Sequence, residues 1–179
     1  MVWVPGPVAL SGKKPTVLPG LLLNDDNGLD GGAYANGGLY CVAKAAATLL
    51  IGDAVFWSAA FTVNKSVTAA DRLKRAGIVA GGVPRAMADY ILEVISRSGD
   101  IGLVAGNAND IVLVCYRGIC IGIGDSAIAA GTQVTFSATT AGRLVASATA
   151  AVTDAMGVVG TMVDATAANG DKARILVSY

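Results

Sequence analysis

The side chains that could do chemistry are few, and their types narrow the options. The 179-residue chain has no histidine. That removes Ser-His-Asp and Cys-His nucleophile systems, HExxH zinc sites and imidazole acid–base catalysis. Cys41, Cys115 and Cys120 are the only thiols, one short of a closed all-cysteine zinc site. Glu93 is the only glutamate, so no Glu–Glu pair can form. Asp25 and Asp26 lie in "NDDNGLDGG", which has the look of a calcium loop. Counted from Asp26, however, the third and twelfth positions are Gly28 and Gly37, where carboxylates are needed. "GICIGIGDS" holds a GxG without the GxxG that opens a phosphate-binding helix, and its Asp125 and Ser126 have no base beside them. Asp125, Arg143 and Asp154 are the polar groups that an enzyme or ligand-binding barrel with a site between protomers would use. The expectation is a protein that is not an enzyme, with no metal and no cofactor.

The elements that would position these groups read as β. From Cys41 onward, short β-rich runs alternate with Gly, Asp, Asn and Ala-Ala turns: "AVFW", "FTVNKSV", "AGIVAGG", "IGLVAG", "DIVLVCY", "ICIGI", "QVTFSA", "GRLVASA", "MGVVGTMV" and "ARILVSY". Runs of this length and spacing predict a mainly β sandwich or barrel. Arg117-Gly118, between two β-branched stretches, reads as a two-residue hairpin loop flanked by Cys115 and Cys120. One segment departs from the rhythm. Met87, Tyr90, Ile91, Val94 and Ile95 recur at helical spacing, with Pro84 in the first turn and Gly99 as cap, and predict a helix over about 84–98. Residues 1–40 hold four of the five prolines and a Gly/Asn/Asp cluster, and read as an extended N-terminal arm and loop.

Composition limits the partners. The chain is 54% hydrophobic and 15% charged, the reverse of a disordered sequence. Its formal net charge is zero, so no basic field would recruit nucleic acid or anionic lipid. The apolar run Cys41–Phe61 carries Lys44 and Asp53 and does not read as a membrane helix. "MVWVPGPVAL" lacks a basic n-region and is interrupted by two prolines, a poor signal peptide. An odd number of cysteines predicts no disulfide framework and a chain made in a reducing cytoplasm. Low charge with an apolar excess points to a homo-oligomer.

One phrase is written twice. "IGDAVFW" at Ile51–Trp57 returns 79 residues later as "AGTQVTF" at Ala130–Phe136, with Cys41 and Cys120 each eleven positions before the glycine. Gly52 leads after 25 residues to Gly77, and Gly131 after 26 to Gly157. The closing runs end in Tyr116 and Tyr179. Two related β units are therefore expected, copy one over about 41–116 with the helix inserted, and copy two over about 117–179.

The second copy carries a resemblance. "NDIVLVCYRGICIGIGDSAIAAGTQVTF", then "GRLV", "MGVVGTMVDA" and the final "ANGDKARILV", resemble the small capsid decoration (cement) proteins of tailed bacteriophages. The likeness covers residues 110–179 well and 52–82 more loosely. The N-terminal arm and the 84–98 segment lie outside the shared pattern. The resemblance implies a non-enzymatic virion protein, made in the host cytoplasm, that binds the outer surface of an icosahedral capsid and clamps neighbouring major capsid subunits. It also implies a homo-oligomer, with a trimer favoured over a dimer. Trp3, Val4, Pro5 and Pro7 are the expected capsid or subunit contacts. Pro5, Pro7, Pro15 and Pro19 keep the arm out of helix or central strand, and Trp3 offers a large apolar anchor. Rival readings are another virion part, such as a head-fibre base or a tail-tube subunit, and the oligomeric β-barrel enzyme or ligand binder noted above.

Overall fold

A computed structural model of the chain describes residues 22–24, 39–65, 68–82, 104–148 and 157–178. These residues are mainly β, and every β-rich run quoted above contributes to a strand. β1 (Leu22–Asn24) and β2 (Leu39–Ala45) are followed by β3 (Leu49–Leu50), β4 (Ala54–Ala59), β5 (Thr62–Lys65) and β6 (Arg75–Gly82). Then come β7 (Val104–Gly106), β8 (Ile111–Ile123), β9 (Gln133–Phe136), β10 (Leu144–Ala146), β11 (Gly160–Met162) and β12 (Lys172–Val177). A 3-10 helix at Ala69–Lys74, entered through Thr68 and Asp71, is the helical element among the described residues. The helix expected at 84–98 lies outside them. Within the stretch read as arm and loop, β1 pairs antiparallel with β2, matching Leu22 to Cys41 and Asn24 to Leu39.

Strands β2, β5, β4, β6 and β8 close into a five-stranded barrel, because β8 pairs with β6 on one side and returns to β2 on the other. The β2–β5 contact is parallel and the remaining four are antiparallel. The sheet then runs on from β8 through β12, β11 and β9 to β10. A parallel bridge from Gly124 to Leu144 brings β10 back to the end of β8.

Strand β8 overturns the expected hairpin at Arg117-Gly118. It is one strand of 13 residues. Ile111–Arg117 pair with β2, and Gly118–Ile123 pair with β12. A hairpin would pair the two flanks with each other; here each flank has a long ladder of its own, and tertiary pairing overrides the local turn signal. Gly118 makes the join. Its φ of +108 is a conformation that side chains with a Cβ avoid. The alternation of faces slips by one residue there, as at a bulge. Leu113 and Cys115 thus share a buried cluster with Cys120, while Val112 and Val114 share the other with Ile121 and Ile123.

The core follows from that slip. Ala43, Ala45, Val55, Val63, Val79, Val112 and Val114 pack together as the filling of the first barrel. Val134, Phe136, Leu144, Met162, Ile175 and Val177 fill the second unit. Tyr40, Phe56, Ile78 and Leu113, from the opposite faces of the first barrel's strands, join that second cluster. The barrel and the sheet that extends it are therefore joined by apolar contact, which is non-directional and scales with the area removed from water.

Candidate functional site

Two of the polar residues that sequence singled out, Asp125 and Arg143, come together where the barrel meets the sheet that extends it. Past β8, Asp125 donates its backbone N–H to the Leu144 carbonyl at 2.8 Å, which fixes the carboxylate over the loop between β9 and β10. The hydroxyls of Ser137 and Thr139 donate to Asp125 Oδ2 at 2.5 and 2.9 Å. Ser137 Oγ in turn accepts the backbone N–H groups of Thr139 and Thr140, each at 3.1 Å. Burial alone would raise the Asp125 pKa, but the hydroxyls of Ser137, Thr140 and Thr139, with Arg143, outweigh it and hold the carboxyl below its ordinary value. The Ser137–Asp125 contact ties the end of β8 to the loop between β9 and β10.

Asp53, which sequence analysis did not single out as a site, lies on the other side of the junction. It is 2% exposed. Its Oδ2 accepts the Leu50 N–H at 2.8 Å and faces Lys65 Nζ at 3.4 Å. Burial pushes the Asp53 pKa up, and the Leu50 amide, Lys65 and Arg143 partly offset this. Arg143 thus acts on both carboxylates, while its Nη1 is buried without a hydrogen-bond partner. Two further bonds cross between units: Ala54 N–H to the Gly142 carbonyl at 2.8 Å, and Arg72 Nε to the Phe136 carbonyl at 3.0 Å. A Cβ at Gly142 would sit 2.5 Å from Asp53 Oδ1, so only glycine lets the loop approach so closely.

The structure brings Asp125 and Arg143 together; Asp154, the third polar candidate, lies outside the described residues, as do Trp3, Val4, Pro5, Pro7, Asp25 and Asp26. Ser126 is exposed and gives its carbonyl to Thr166 Oγ1 at 2.8 Å. Among the described residues no three acids or cysteines converge as a metal site, and no helix is long and apolar enough to cross a membrane. All three thiols are buried and free. A hydrogen bond with Cys115, then burial, pushes the Cys120 pKa well up. What the sequence signalled for Asp53 was its place in the doubled phrase, where the second copy has Thr132: the same turn carries a charge in one copy and a hydroxyl in the other. The arrangement as a whole is a polar clasp between the barrel and the loop that joins β9 to β10. No family model matches the chain, and no curated protein matches it.

Proposed function

We propose that this chain is a doubled β unit that serves as a non-enzymatic capsid decoration protein. It would bind the outer surface of an icosahedral phage capsid as a homo-oligomer, a trimer in preference to a dimer, and stabilise contacts between major capsid subunits. The observation that carries the reading is that most of the stretch bearing the resemblance, residues 110–179, lies in the sheet beyond the barrel: Gly118–Ile123 of β8 pair with β12, and β11, β9 and β10 continue from there, while Ile111–Arg117 belong to the barrel.

Repeated hydrogen bonds support the doubling. Gly52 N–H donates to Val79 O and Val79 N–H to Asp53 O, both at 2.8 Å; Gly131 N–H donates to Met162 O at 2.8 Å and Met162 N–H to Thr132 O at 2.9 Å. Asn109 N–H donates to Ala45 O and Ala45 N–H to Asp110 O, both at 2.8 Å; Gly170 and Gly124 repeat the pattern with Asp171, both at 2.9 Å. Asp110 and Asp171 each cap their own turn, through the amides of Asn107 at 2.9 Å and Ala168 at 2.8 Å. Asn109 and Gly170 are both left-handed, with φ of +73 and +90. By these bonds Gly77 corresponds to Gly160, which pairs with Val134 as Gly77 pairs with Val55. Tyr116 likewise corresponds to Val177. Both counterparts differ from the Gly157 and Tyr179 expected from spacing, because the copies differ in loop length.

A stiff β scaffold whose junction polar groups bond to one another suits a clamp that must hold its shape while its edges bind. Many weak contacts repeated by symmetry then make attachment persistent. The N-terminal arm, with Trp3, Val4, Pro5 and Pro7, is assigned part of the capsid contact. Mixing the purified protein with expanded and unexpanded capsids of its phage tests the reading. Co-sedimentation with expanded shells is expected, and deletion of residues 1–20 should abolish it without changing melting temperature or oligomer size. A full-length protein that stays in the supernatant with every shell overturns the proposal.

A further inference from the structure

One row of cross-strand neighbours occurs twice, once buried and once in water. Ala54 pairs with Ile78, Ile78 with Cys115 and Cys115 with Tyr40, a row across β4, β6, β8 and β2. Under the correspondence proposed above, the same pairings recur as Gln133 with Thr161, Thr161 with Leu176 and Leu176 with Ile119, across β9, β11, β12 and β8. The first row is buried: Ala54, Ile78 and Cys115 are 0% exposed and Tyr40 is 3%. Its cover is this chain's own apolar side chains, since all four belong to the cluster of Val134, Phe136, Met162 and Ile175. The second row is open. Gln133 is exposed, Thr161 and Ile119 are partly buried, and Leu176 is 45% exposed.

The open row runs against the usual pattern. A sheet with one face in the core carries polar residues on the other. Here Leu176 stands between Ile119 and Thr161 on the outer face, and Val163, 37% exposed, lies one row on, with its N–H on the Arg174 carbonyl at 2.8 Å. Leu176, Ile119 and Val163 are thus neighbours and not scattered, the mark of a contact surface. The row itself holds no charge. Arg174, the next outward residue of β12, is tied to Asp164 through two bonds of 2.7 Å, and Lys172 stands two rows from Leu176. An uncharged row can meet an identical row, where like charges would repel.

We infer that this row is where copies of the chain join: Ile119, Thr161 and Leu176 of each protomer face the symmetry axis of the homo-oligomer and are covered there by the same residues of a second copy. The inference rests on the doubling and the homo-oligomer proposed above. The buried row of Tyr40, Cys115 and Ile78 is the precedent, with apolar residues of this same chain as its cover.

The test is Leu176→Asp, with Thr161→Arg as a second variant on the row. Leu73→Asp, 51% exposed on the 3-10 helix, is the control. Mass is read by light scattering across a dilution series, and folding by circular dichroism. Like charges at the axis should weaken association about tenfold or more in both row variants, while the control associates as wild type does. Leu176→Cys decides by itself if a charged variant fails to fold. A short bismaleimide should link two protomers through it, since Cys41, Cys115 and Cys120 are buried. If the row variants keep the wild-type mass at every dilution, or Leu176→Cys is labelled without linking, the inference is overturned while the homo-oligomer stands. If the wild type is monomeric throughout, the inference and the homo-oligomer both fail, and capsid binding keeps its own test.

Discussion

Gly160→Ala puts the pairing of β11 with β12 under the most direct stress. A Cβ at Gly160 would lie 2.2 Å from the Leu176 carbonyl oxygen and 2.9 Å from both Leu176 C and Val177 Cα. Real Cβ atoms stay beyond 3.0 Å, so β11 and β12 would have to separate by about 0.8 Å. The atoms met are backbone, and β12 is held on its other side by a six-residue ladder to β8, so no rotamer change relieves the clash. Overpacking of this kind costs about 1–3 kcal/mol, and a backbone clash inside a sheet belongs at the upper end. In a chain of this size each kcal/mol lowers Tm by about 2–4 °C, so a fall of about 6–12 °C is expected. Gly77→Ala should fall at least as far, because its Cβ would meet Cys115 O at 2.1 Å and its φ is +138. Gly131→Ala is the control. It has φ +80 and nothing within 4 Å, so it bears only the left-handed penalty, about 1 kcal/mol. The assay is calorimetry or circular dichroism melting of the three variants together. A Gly160→Ala protein melting within about 2 °C of wild type, less than one kcal/mol in these terms, would refute the reasoning. So would a Gly131→Ala protein that falls further.

Three further expectations follow from the core and the clasp. Leu144→Ala empties a fully buried site facing Gly122 and should cost about 2–5 kcal/mol, read from denaturant midpoints. Cys115 and Cys120 should not react with a thiol-specific reagent in the native protein and should react once it is unfolded; rapid native labelling would contradict their burial. The Asp125 carboxyl is held below its unfolded value, so the stability it lends is present above the unfolded pKa and is lost as pH falls through the folded one. Asp125→Asn should therefore have a shallower loss of stability on acidification than wild type. Asp164, lowered by its Arg174 bonds, titrates in the same sense, and Asp53, raised by burial, in the opposite one. An acid limb unchanged by the substitution would mean that the hydroxyl network does not bind the ionised form.

Much of the strand pattern was legible because it is local. Short β-rich runs between turn residues mark β4, β6 and β9 without help from the rest of the chain. Gly118 was misread because turn chemistry and bulge chemistry use the same residue. Only the ladders to β2 and β12 decide between them, and those partners are about 70 residues upstream and 60 downstream in the sequence. Asp125, Arg143 and Asp154 were named together from residue type; Asp125 and Arg143 do meet, and Asp154 lies outside the described residues. Their partners Ser137, Thr139 and Thr140 were invisible as a set, since hydroxyls at loop positions carry no spacing signature. Asp53 was read as a charge interrupting an apolar run. Its burial depends on Gly142 allowing the second unit's loop to close over it, a contact between segments 89 residues apart. The left-handed backbone of Phe61, with φ of +50, left no trace in sequence, because nothing about "AAFT" announces a positive φ.

The central claim is that this doubled β unit sits on the outside of a phage capsid. Electron cryomicroscopy of expanded shells incubated with the full-length protein tests it directly. Added density on the outer surface is predicted, repeated by the lattice symmetry, into which the barrel and the sheet that extends it fit. Shells whose outer surface is unchanged at saturating protein would contradict it.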